Sequence, residues 1–185
     1  MPALLEMSPA TTRSLRIGGW SLAALLLALP AVAMQFTSEV DWTFGDFAVA
    51  GLMLAALGGV LELAARGSAN LAYRAGAAIA ALTAFLALWI IMAVGIVGAP
   101  DDPLNLVYIA VLGIAACAAI TAGRDPARLA RAMLATAGAQ ALVLLVHLVD
   151  AVSPALVIDS FFVLTWSASG ALFARAARQL SGEAS

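Results

Sequence analysis

Charge is what this chain has least of. Charged residues make up 11% of it, none of them is lysine, and hydrophobic residues reach 64% with a mean hydropathy of +1.03. Soluble globular domains are about half apolar and about one quarter charged, so this composition excludes them and indicates a membrane-embedded chain. Cysteine is almost missing as well. The lone Cys117 excludes an intramolecular disulfide and a cysteine-rich metal site, and its place in an apolar run reads as a small buried helix residue. There is one histidine, His147, and no CxxC, phosphate loop or histidine pair. Redox, nucleotide and haem chemistry therefore have no motif, and no cofactor is expected.

The charges that are present are sorted. Arg13 and Arg16 precede one apolar run, Arg66 and Arg74 separate the next two, Arg124, Arg128 and Arg131 separate another pair, and Arg175 and Arg178 close the last. Between them lie Glu39, Asp41 and Asp46, then Asp101 and Asp102, then Asp150 and Asp159. By the positive-inside rule this alternation describes six crossings of a bilayer with both termini on the cytoplasmic side. The net charge of −2 says little, because the two signs go to opposite faces. Arginines at helix ends do not form a basic face, so nucleic-acid binding is not expected.

The fold expected is an all-α, polytopic bundle forming one integral membrane domain over 1–185. Its helices are placed at about 15–36, 44–66, 74–98, 103–123, 126–150 and 154–180. Arg13, Arg16, the apolar stretch from Trp20 to Leu29 and Ala31-Val-Ala33 mimic a cleavable signal, but the run from Leu15 to Phe36 is long enough to span and is read as the first transmembrane helix. Ser8-Pro9 suits a short helical lead-in. Thr43 and Asp46 have capping-box spacing, while Asp102-Pro103, Asp125-Pro126 and Ser153-Pro154 each pair an N-cap with a first-turn proline. Short connections predict that sequential helices are antiparallel neighbours, giving three hairpins with no soluble domain. The hairpins repeat with offsets of about 58 and 54 residues, as three hairpins crossing one membrane thickness must. On the second helix, Gly51, Ala55 and Gly59 recur every four residues and read as one closely packed face, widened by Gly58.

Polar residues inside spans cost free energy to bury and mark a partner or a cavity. Thr136, Gln140, His147 and Asp150 lie along one face of the fifth helix, and His147 and Asp150, three apart, have the spacing of a hydrogen-bonded pair that fixes the imidazole tautomer. Asp159 joins them as a second carboxylate, with Trp166 seven residues on along the same face of the sixth helix. One imidazole and scattered carboxylates suit a proton or a divalent ion but lack a diagnostic metal spacing, so the metal is left unknown. Glu39, Asp41, Asp46, Asp101 and Asp102, with Trp42 and Phe44 as interface anchors, are read as an outer acidic mouth that attracts cations. Glu62 and Arg66 have ion-pair spacing. The hydroxyls of Thr165, Ser167 and Ser169 are expected to bond to the preceding turn or to a neighbouring helix.

The segments Phe36-Thr-Ser-Glu-Val-Asp-Trp42, Asp46-Phe47, Glu62-Leu-Ala-Ala-Arg66, Tyr73-Arg74, Trp89, Ala93-Val-Gly-Ile-Val-Gly98 and Pro103-Leu-Asn-Leu-Val-Tyr108 resemble a group of small uncharacterised bacterial multi-pass inner-membrane proteins. The resemblance covers the first four helices, and the group carries an asparagine where this chain has Ile91. It implies a bacterial inner-membrane location and no activity. Ser169-Gly170 in the run Trp166-Ser-Ala-Ser-Gly170 is similar to the serine motif of rhomboid proteases, which need a histidine on a later helix. Here His147 precedes the serine, so an enzyme is not expected. Two roles remain: a transport or permeation protein for a cation or small solute, with a polar cavity lined by helices five and six, or a non-catalytic accessory or assembly subunit. The second packs through small-residue helix faces against another copy or another membrane protein.

Overall fold

A computed structural model of the chain describes residues 9–149 and 153–182. They form six long helices: α1 Pro9–Ala33, α2 Phe44–Gly67, α3 Leu71–Ala93, α4 Leu106–Ala122, α5 Pro126–Val149 and α6 Ser153–Gly182. No strand occurs among the described residues. All six are long and apolar enough to cross a membrane. The chain divides into two compact units, Met1–Leu63 and Ala64–Ser185.

In the first unit, α1 starts at Pro9, so the expected lead-in and the first span are one continuous helix. It ends at Ala33 rather than Phe36, because the next residues close a tighter turn in which Gln35 and Phe36 donate to the carbonyls of Val32 and Ala33. The start of α2 is fixed reciprocally. Asp46 Oδ2 accepts from the Thr43 N–H at 2.7 Å, and Thr43 Oγ1 accepts from the Asp46 N–H at 3.3 Å. The packed face of α2 differs from the expected one. Gly51 lies against Leu27, and Gly58 sits directly under the Trp20 ring, where an added Cβ would be 2.8 Å from the nearest ring carbon. Gly59 has no atom within 4 Å of that point and Ala55 is exposed. A heptad spacing thus replaces the four-residue one, because the indole is wide enough to need the whole glycine surface two turns beyond Gly51. Arg16 reaches Glu62 at 2.8 Å, tying the arginine end of α1 to α2.

In the second unit, α6 packs between α3 and α5, and α5 between α6 and α4. The order is therefore α3, α6, α5, α4. Consecutive helices α3 and α4 touch little, which corrects the expectation that every short connection makes neighbours. Small residues bring α6 to α3. A Cβ on Gly76 would lie 3.2 Å from the Ser169 carbonyl oxygen and from the Phe173 ring, and the Ser169 hydroxyl donates across the seam to the Gly76 carbonyl at 2.8 Å. Tyr73 completes the contact edge-on to Phe173. On the other side, Gly170 receives Leu134 from α5.

Helix α3 begins at Leu71, three residues earlier than expected, because Asn70 caps it by accepting from the Tyr73 N–H at 3.0 Å. Arg74 then turns back and donates to the carbonyls of Ser68 and Ala65, closing the end of α2. The helix ends at Ala93 and not at Gly98. Gly95 and Gly98 adopt φ of 75° and 60°, conformations that a side chain disfavours. The connection that follows is built around Asn105, which is 3% exposed. Its Oδ1 accepts from the Ile96 and Val97 N–H groups, and its Nδ2 donates to the Val97 and Ala99 carbonyls. A 3₁₀ turn, Pro103–Asn105, capped by Asp102, leads into α4. Cys117 is exposed on α4, not buried, because α4 is covered chiefly on the face it turns to α5.

Candidate functional site

The polar residues of α5 face inward. Thr136, Gln140 and His147 are 0%, 2% and 6% exposed, while Leu142, Leu145, Val146 and Leu148 point outward. This is the 3.6-residue period at work: a step of four or seven residues returns to the same stripe, and that stripe is turned to α6 and α4. Thr136 closes on its own helix by donating to the Ala132 carbonyl. Gln140 and His147 reach across to α6.

Their common partner is Asp159, which is fully buried. Gln140 Nε2 donates to Asp159 Oδ1 at 2.9 Å, and His147 Nδ1 lies 2.6 Å from Asp159 Oδ2. Asp159 shares its face of α6 with Ala155, Phe162 and Trp166, all at most 1% exposed. An apolar wall thus lines one side of the carboxylate, whose polar neighbours are the His147 imidazole, the Gln140 amide and the Tyr108 hydroxyl. From α4, the buried Tyr108 hydroxyl approaches His147 Nδ1 at 3.4 Å, with the two rings tilted and 6.2 Å apart. One nitrogen carries at most one proton, so the 2.6 Å contact to Asp159 takes the Nδ1 position and the tyrosine contact is secondary. Three helices thereby meet at one carboxylate.

The proton bookkeeping of this pair decides its chemistry. With one shared proton between Nδ1 and Oδ2, the pair carries a net negative charge in an apolar surrounding. A second proton makes it neutral, as an imidazolium beside a carboxylate or an imidazole beside a carboxylic acid. Among the described residues no group of three or more His, Cys, Asp or Glu side chains is placed to hold a metal ion.

The structure brings Gln140, His147 and Asp159 together, with His147 Nδ1 against Asp159 Oδ2. Asp150 lies outside the described residues. The other acidic candidates stand apart from this cluster in role. In the first unit, Asp46 caps α2, and Glu39 and Asp41 are exposed. In the second, Asp102 Oδ1 accepts from the Leu104 N–H at 2.8 Å and Asp101 is exposed. Ser169 bonds to the neighbouring helix and Thr165 to its own. Tyr108 and Asn105 were missed. Nothing in an apolar α4 distinguishes an inward tyrosine from an interfacial anchor, whereas Asn105 two residues after a capping proline was a readable signal of a side chain closing a turn.

No known protein family, curated protein or solved structure matches the chain.

Proposed function

We propose that this is a small transport or permeation protein of a bacterial inner membrane, moving a cation or small solute along α5 and α6, with the His147–Asp159 pair as the group that binds and releases a proton. It crosses the bilayer six times with both termini cytoplasmic. The sorting of arginines and acids to alternate ends supports that topology. The observation that carries the functional reading is the fully buried Asp159, held by an imidazole at 2.6 Å and an amide at 2.9 Å inside a candidate span. An ionisable group is costly there, and such groups mark proton and ion pathways.

The test is flux in liposomes. Purified protein is reconstituted with a pH-sensitive dye inside, and a potassium diffusion potential is imposed with candidate cations and small solutes outside. The wild-type protein acidifies or alkalinises the lumen, and Asp159→Asn, which keeps the side chain's shape, falls to the level of protein-free vesicles. Equal flux from both proteins sinks the reading.

A second reading is a non-catalytic accessory subunit. It is favoured by the finding that every buried side-chain nitrogen and oxygen among the described residues has a hydrogen-bond partner, as a structural polar seam requires. Native mass spectrometry from mild detergent separates the two, since a stoichiometric co-purified membrane protein supports the accessory role.

A further inference from the structure

A cleft of about 330 Å³ opens where the end of α4 meets the start of α5, lined by Ala118, Thr121, Ala122, Arg128, Arg131 and Ala132. Its size falls within the ~300–1,000 Å³ of small-molecule sites. It lies at the arginine-bearing end of both helices and shares no residue with the His147–Asp159 cluster. The helix N-terminus is not its source of attraction, because Asp125 Oδ1 already accepts from the Ala127 and Arg128 N–H groups. Thr121 is not a donor either, since its hydroxyl turns back to the Cys117 and Ala118 carbonyls at 3.0 Å.

The two guanidinium groups are what remains. Both arginines are exposed, Arg128 meets Asp125 only at 3.6 Å, and Arg131 has no ion pair among the described residues. The walls between them are the methyl groups of Ala118, Ala122 and Ala132. On α4 the same face continues inward to Ile114, four residues before Ala118 and 46% exposed. A cationic rim above a narrow apolar groove matches a ligand that is anionic at one end and hydrocarbon at the other.

We propose that this cleft binds an anionic phospholipid, with the headgroup phosphate between Arg128 and Arg131 and an acyl chain lying along Ala118 and Ala132. Planar guanidinium forks suit phosphate oxygens, and small side chains leave room for a chain that larger ones exclude. This site stands whether or not the protein transports anything.

The experiment is native mass spectrometry of the full chain in mild detergent, titrated with phosphatidylglycerol, phosphatidylcholine or inorganic phosphate. Phosphatidylglycerol binds the wild-type protein. An arginine near an anionic lipid contributes about fivefold, so Arg128→Gln with Arg131→Gln weakens binding about twenty- to thirtyfold. Because both side chains are exposed, the substitutions leave buried packing intact. Ala118→Leu, which keeps both charges and fills the groove, also weakens phosphatidylglycerol binding. Phosphatidylcholine binds the wild type no better than phosphatidylglycerol binds the double variant. Unchanged phosphatidylglycerol binding in the double variant, equal binding of the two lipids, or no effect of Ala118→Leu overturns the proposal. Displacement by inorganic phosphate at equal concentration does so too, since it shows that the acyl chain contributes nothing.

Discussion

Replacing Asn105 with alanine is the most damaging single change expected outside the polar cluster. The side chain closes the whole connection between α3 and α4 through four hydrogen bonds, two accepted from Ile96 and Val97 and two donated to Val97 and Ala99. Ile96 and Val97 are themselves 5% and 9% exposed, so water does not readily replace the lost partner at their amides. Each buried backbone group left unpaired costs about 1–3 kcal/mol. The Ala99 carbonyl lies in an exposed turn and is rescued by solvent, which leaves two amides and one carbonyl. At the low end of that range for groups that partly relax, the total is about 3–5 kcal/mol. Asn70→Ala is the natural comparison. It removes a cap at the half-buried start of α3 and costs about 1 kcal/mol. Thermal unfolding in detergent, followed by tryptophan fluorescence and checked for reversibility, should rank Asn105→Ala well below Asn70→Ala. If the two variants melt together, the backbone of residues 94–105 holds its shape without the amide and the reasoning fails.

Two further outcomes follow from the same structure. Gly76→Ala places a methyl group 3.2 Å from the Ser169 carbonyl oxygen and forces α3 from α6, a loss of about 1–3 kcal/mol in the same assay. Asp125 titrates with a defined sign. The Arg128 and Ala127 N–H bonds and the nearby Arg128 and Arg131 charges hold its pKa below the usual 3.8, against some desolvation. A pKa lower in the folded than in the unfolded state contributes stability above 3.8, and this is lost as pH falls through the folded value. The acid-side fall in melting temperature is therefore shallower in Asp125→Asn than in the wild type.

What the sequence makes legible is what periodicity and charge determine directly. Six apolar runs of sufficient length, the reciprocal Thr43–Asp46 cap and the stripe of Thr136, Gln140 and His147 all follow from spacing along one helix. Pairings between helices are another matter. The bond from His147 to Asp159 crosses between two helices and depends on how α6 is rotated against α5, where Gly170 receives Leu134. The placement of α6 beside α3 likewise rests on Gly76, one glycine among many small residues in an alanine-rich chain. Gly58 in place of Gly59 depends on the Trp20 ring of another helix. The early end of α3 was closer to the surface of the sequence, since Gly95, Gly98 and Asn105 together describe a turn, but a hydrophobic run masks it.

The central claim is that His147 and Asp159 form one buried, hydrogen-bonded pair between α5 and α6. His147 is the chain's single histidine, so selective ¹⁵N labelling gives one imidazole and no assignment problem. The measurement is the pH dependence of its two nitrogen shifts in lipid bilayers, in the wild type and in Asp159→Asn. In the wild type, Nδ1 should carry a proton in a strong hydrogen bond to the Asp159 carboxylate. In Asp159→Asn the Nδ1 shift should move to that of a weaker hydrogen bond, because the carboxylate acceptor is gone. Matching shifts in the two proteins, or the profile of a freely solvated imidazole in the wild type, contradict the account.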